Sequence, residues 1–238
     1  MKLYVYCLAE AVDGAAESLH GIAGGRVRAF ESEGLSLLVS DFAGDVVAVN
    51  RENVLAHAAV IQTVFKKETP LPVRFGTLVT EAQLESYVLA RRAALEAKLA
   101  VVRGCAEMNV KVVSAREWTE PPAVTVGEEK PGTAFLTEKR REILGGEARA
   151  EEAKRVAEWL SGQLGDLVQQ TQLSKTPTDK MILAAAHLVR RDQVEQYRTM
   201  LAQARNEQPE LHFLVSGPWA PYSFANVDLE FKTQFGVS

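Results

Sequence analysis

The stretch Ser216-Gly217-Pro218-Trp219-Ala220-Pro221-Tyr222-Ser223-Phe224 constrains the fold of this chain more than any other segment. It follows an apolar, strand-like run at residues 211–215. Proline fixes φ and donates no backbone hydrogen bond, so a central sheet strand cannot continue through Pro218 and Pro221. The sequence therefore predicts a last strand that ends near Val215. Beyond it comes an extended or turned tail that displays Trp219, Tyr222 and Phe224. Aromatics held this way serve as packing anchors or as a binding surface, and large aromatics are mostly buried.

The rest of the chain has the composition of a globular protein. Of its 238 residues, 47% are hydrophobic and 24% charged, and the formal net charge is −4. That length suits two small domains or one large one. A net negative chain without a basic cluster offers no electrostatic footprint for nucleic acid and no polybasic patch for an anionic membrane. Cys7 and Cys105 lie far apart, with no CxxC and no Cys/His ligand spacing, so each reads as a small buried hydrophobe in a reducing compartment. The opening run from Leu3 to Leu8 is too short to span a bilayer and reads as a first strand, which places the protein in the cytoplasm.

Periodicity divides the chain into two halves. In the first, strands are expected at residues 3–8, 26–31 and 35–40, the last two as a hairpin about Gly34. Residues 51–67 have helical period, with Val54, Ala58, Ile61 and Phe65 on one face. Pro70 and Pro72 end that helix. Thr80 and Gln83 match a capping box before a second helix, whose buried stripe is Leu84, Val88, Leu95, Leu99 and Val102. Gly104 is its stop, and a domain boundary falls nearby. In the second half, residues 108–114 alternate like a strand. Residues 117–132 read as an exposed loop. A helical run from Thr133 is interrupted at Gly145-Gly146, which suggests a kink or two helices. Extended pieces follow near residues 172–175 and 181–189, then a helix at 192–205 and the strand at 211–215. Strand, helix, strand, strand, helix, strand is the order of a ferredoxin-like layer. The expected fold class is α+β, with an N-terminal domain of unusual topology at residues 1–105 and a ferredoxin-like domain with its aromatic tail at 106–238.

Catalytic signatures are missing. His20, His57, His187 and His212 are isolated from one another, and no metal-ligand spacing connects them. His57 shares a helix side with Ile61 and Val64 and reads as a core-edge histidine, while His187 and His212 are a weak candidate pair. No glycine loop lies between a strand and a helix, and there is no GxSxG. The expectation is a non-enzyme without metal or cofactor. RNA-recognition domains share the ferredoxin-like order but stack bases on strand aromatics, and here Phe213 stands nearly alone. A small-ligand regulatory protein built on the ferredoxin-like half is the second reading. In Pro70-Leu71-Pro72-Val73-Arg74-Phe75-Gly76-Thr77, Arg74 either satisfies carbonyls and acids between domains or forms, with Phe75, part of a partner-binding face.

These two segments, with the helix from His57 before the first, resemble the gas vesicle accessory proteins of the GvpF/GvpL family. The opening Tyr4-Val5-Tyr6-Cys7 and the strand around Val110-Lys111-Val112 are also similar to that family's. The match runs from residue 3 to about 224. The resemblance implies two α+β domains, the second ferredoxin-like, and a non-enzymatic role in building gas vesicles. It implies association with the vesicle, and contact with its small hydrophobic shell protein and with other accessory proteins. Arg74, Phe75, Trp219, Tyr222 and Phe224 are then the candidate interaction or inter-domain anchors. Trp219 and Tyr222 are expected mainly to pin the tail near residues 70–77.

Overall fold

A computed structural model describes residues 1–10, 19–114, 131–173, 181–225 and 227, with the helix path alone for 131–145. The predicted loop at 117–132 falls almost wholly outside these residues, as does Lys175. The chain forms two compact units, Met1–Glu107 with Pro218–Ser238, and Met108–Gly217.

The first unit is built on β1 (Lys2–Ala9), whose run of β-branched and aromatic residues is buried almost throughout. The strand can be buried because it is paired on both sides. Strands β2 (Val27–Ser32) and β3 (Leu35–Phe42) form a hairpin whose second strand pairs antiparallel with β1. On the opposite edge of β1 lie two short strands, β4 (Leu71–Pro72) and β5 (Leu78–Val79). Helix α1 (Arg51–Phe65) packs on this sheet and starts at Asn50, whose side chain accepts from the Asn53 N–H. The stripe read from the sequence is only half right. His57, Val60, Ile61, Val64 and Phe65 are buried, whereas Val54 is 44% exposed. The face turned to the sheet is centred one position away, and Val54 and Ala58 border open space.

Helix α2 (Glu81–Val102) follows the sequence reading closely. Thr80 and Gln83 form a complete capping box, and Leu84, Val88, Leu95, Leu99 and Val102 are its buried residues. Gly104 then takes φ +69 and turns the chain into β6 (Cys105–Ser114).

In the second unit β6 is followed by α3 (Pro131–Leu164), β7 (Val168–Leu173), β8 (Met181–Arg190), α4 (Val194–Glu207) and β9 (Leu211–Trp219). The sheet order is β7-β8-β6-β9. Helix α3 passes through Gly145-Gly146 without a break. Glycine lowers helix propensity by about 1 kcal/mol without clashing, and the stripe that buries Leu160 and Leu164 carries the helix onward. The Ala184-Ala185-Ala186 run is strand, buried within β8. Strand β9 runs on through Pro218 to Trp219, past the expected stop at Val215. Its place at the end of the sheet explains this, because an edge strand tolerates a missing donor. The next element, α5 (Tyr222–Ala225), belongs to the first unit.

The β2–β3 turn places Glu33 at φ 53 and Gly34 at φ 79, the two positive values a tight hairpin requires. A Cβ on Gly34 would meet nothing within 4 Å. The cost of Gly34→Ala is therefore backbone strain alone, about 1 kcal/mol. Urea unfolding should show a lower midpoint for this variant with an unchanged slope.

Candidate functional site

Alternation along β1 places Tyr4 and Tyr6 on one side of the sheet, with ring centroids 4.8 Å apart. His57 comes down from α1 onto both rings, edge-on to Tyr4 and stacked on Tyr6. Phe75 closes the cluster, 5.6 Å from the His57 ring and 6.3 Å from Tyr4.

The polar atoms of this cluster form a continuous hydrogen-bond path. The Tyr4 hydroxyl lies 2.8 Å from His57 Nδ1, and the Val73 carbonyl is the other polar neighbour of the imidazole. Since the Val73 carbonyl needs a donor, His57 carries its proton on Nε2 and accepts from Tyr4 at Nδ1. The Tyr4 oxygen in turn accepts from the Gly76 N–H at 3.2 Å. Tyr6 is held separately, accepting from the Ile22 N–H and sharing a bond with Ser40 Oγ, each at 2.8 Å. Gly21 is required beside it, because a Cβ there would collide with the Tyr6 hydroxyl.

This path fastens residues 72–77 at both ends. Val73 N–H donates to the Tyr6 carbonyl, Val5 N–H donates to the Thr77 carbonyl, and Thr77 Oγ1 donates to the Arg74 carbonyl. Gly76 takes φ +86, which closes the turn. The loop thus presents Arg74 outward and leaves Phe75 half-buried. Among the described residues no acid pairs with the Arg74 guanidinium.

The tail completes the site. Val227 bridges Val73 in parallel. Ala220, Ala225 and Val227 are buried, and Pro221 with them. The buried Glu107 carboxylate accepts from the Ser223 N–H at 2.7 Å and from its hydroxyl at 2.9 Å. It satisfies the open end of α5 as a cap would. The deepest contacts of the tail come from these small residues and from Glu107. Trp219 and Tyr222 each keep 43% of their surface exposed, and Phe224 is half-buried. Burial, with smaller contributions from Cys7 and Glu107, pushes the Tyr222 phenol up to about 12.

Between α1, the 72–77 loop and the tail lies a groove of about 590 Å3. His57, Pro72 and Val73 form its floor. Val54, Ala58, Phe75, Tyr222 and Val227 form its walls, and Arg74 stands at the rim. The structure thus brings Arg74, Phe75 and Tyr222 together and leaves Trp219 and Phe224 off the groove lining. His57, read as a core-edge residue, is the pivot of the site. The Tyr-Val-Tyr alternation and a histidine on the sheet-facing side of α1 are the sequence signals that foretell it. His187 and His212 do not meet, since β6 lies between their strands and His187 bonds the Tyr197 hydroxyl at 2.8 Å. Among the described residues no group of three potential metal ligands is assembled.

Two measurements check this network. Tyr4→Phe leaves the Gly76 N–H and His57 Nδ1 without their partner inside the fold and should lower stability by about 2 kcal/mol. Burial holds both His57 and His187 down at about 4, against an ordinary 6.5. The unfolded chain therefore binds protons that the folded chain refuses. Stability is full above pH 6.5 and falls as the pH drops toward 4, by on the order of 3 kcal/mol per histidine. His57→Gln should roughly halve that acid-limb loss in urea titrations run across the window.

The family model described as "Gas vesicle synthesis protein GvpL/GvpF" matches residues 2–226. Gas vesicle protein F1 of Halobacterium salinarum is 26% identical over 99% of this chain and 98% of its own length. Gas vesicle protein F of Haloferax mediterranei is 24% identical over the same shares. The crystal structure of GvpF from Microcystis aeruginosa superposes with a TM-score of 0.75 at 22% identity, covering 95% of this chain and 99% of that one. GvpF from Anabaena sp. PCC7120 gives 0.73 at 21% identity, covering 95% and 96%. Matched by the family model over nearly its whole length, this chain belongs to the gas vesicle synthesis protein GvpL/GvpF family.

Proposed function

We propose that this chain is a non-enzymatic accessory or minor structural protein of gas vesicle assembly, and that it holds the hydrophobic shell protein and other vesicle accessory proteins. One observation carries the reading beyond family membership. Residues from both segments that bear the family resemblance, Arg74 and Phe75 from the first and Tyr222 from the second, line one surface groove. Signature residues that meet at an open, mostly apolar groove are placed for contact. A shell whose inner face excludes water is built from very apolar subunits, which associate when free. A folded partner with an apolar groove keeps such a subunit apart until it is added.

The strand–helix–strand–strand–helix–strand order and the β7-β8-β6-β9 sheet of the second unit favour the ferredoxin-like reading. No helix among the described residues is long and apolar enough to cross a membrane. The proposed role itself puts the chain at the vesicle and in the surrounding cytoplasm. Deletion of the gene should abolish floating, light-scattering cells, and a plasmid copy should restore them. Cells that float normally without the gene would remove the assembly role.

A further inference from the structure

The groove itself defines the kind of partner segment it receives. Backbone pairing is already used up around it. Val73 donates to Tyr6, its carbonyl faces His57, and Val227 bridges Val73 on its other side. Thr77 takes the Arg74 carbonyl. Among the described residues an incoming strand therefore finds little open edge at 72–74, and recognition falls to side chains. A segment that satisfies its own backbone, an amphipathic helix, meets that condition.

Two further features set the chemistry of that helix. The apolar surface does not stop at the groove. Val54 is 44% exposed and its neighbour Leu55 56% exposed on α1, while Tyr222 stands 43% exposed on the far wall. A small molecule in the groove would leave this surface wet, whereas ligand pockets bury most of their ligand. A helix laid across it covers both walls. At the rim stands Arg74, exposed and without an acid partner among the described residues. The loop that carries it is fastened on either side by the Tyr4–His57 path, so its backbone position is already settled before any partner arrives.

Resting on the vesicle-assembly reading and narrowing it, we infer that this groove docks an amphipathic helix of a vesicle protein, seated by its apolar face between α1 and the tail and oriented by one acidic side chain that pairs with Arg74. The acid sits at the border of the apolar face, where the rim meets water. Arginine suits the task because its fork can hold a carboxylate in two parallel hydrogen bonds.

The test is capture of co-expressed shell protein by the tagged, full-length chain. Wild type is compared with Val54→Asp, Arg74→Glu, and Leu89→Asp as a control on the exposed face of α2. Thermal melting checks that each variant is folded. Capture by Val54→Asp and Arg74→Glu should fall about tenfold or more, and Leu89→Asp should capture normally. Replacing the acids of the shell protein with lysine one at a time should restore capture by Arg74→Glu at one position. Normal capture by folded Val54→Asp and Arg74→Glu overturns the groove proposal and leaves the assembly reading standing. A wild-type chain that captures no shell protein from vesicle-forming cells removes the shell-binding reading, and the groove proposal with it. Capture that appears only after removal of residues 228–238 assigns the groove to the chain's own end and also overturns the proposal. So does a metabolite that native mass spectrometry finds on wild type but not on Arg74→Glu.

Discussion

The bond between the Tyr4 hydroxyl and His57 is the interaction on which the first unit depends. It joins the most buried strand of the sheet to the helix above it. Through Gly76 and Val73 it also sets the course of the loop that forms one wall of the groove. Each group in the path has one role it can fill. Val73 offers only an acceptor, which places the imidazole proton on Nε2. That placement makes Nδ1 an acceptor, which orients the tyrosine hydrogen and leaves its oxygen free to receive Gly76. A buried polar network of this sort is costly when incomplete and rigid when complete. Here it is complete, and its rigidity is delivered to Arg74 and Phe75.

The tail makes use of the same base. Val227 can bridge Val73 only because Val73 is already held against Tyr6 and His57. Glu107 adds a second fastening through Ser223. Tyr222 is thus brought to the groove by small neighbours that are themselves buried, and its ring is left half in solvent. The division of labour is physical. Alanine, proline and valine supply contact with little loss of rotamer freedom, and the aromatic ring stays available.

Local signals are legible in this sequence, and long-range ones are not. The capping box at Thr80 and Gln83, the α2 stripe and the Gly34 hairpin depend on residues a few positions apart, so periodicity and turn chemistry find them. The buried face of α1 is not legible because Val54 and Ala58 are apolar yet line the groove and not the core, a distinction that requires knowing what lies opposite. The glycine pair in α3 warned of a break that its packing overrode. Strand β9 outran its prolines because edge position is a property of the sheet and not of the strand. The Tyr4–His57 path joins β1, α1 and a loop, and no single window of sequence contains it. What the sequence offered was its parts: two tyrosines in alternation and a histidine on a helix face that should be apolar.

Strand β9 carries a consequence for how such a protein survives its own surroundings. It lies at the end of its sheet, with Leu214 and Val215 exposed beside it. An edge of this kind invites another chain to add a strand. Near the end of β9 the Gly217 carbonyl is already engaged by the Arg198 guanidinium. The acceptor that Arg198 takes is not available to a strand zipping along β9. Growth of the sheet meets an occupied acceptor at this end of the strand, a block supplied by the protein's own helix α4.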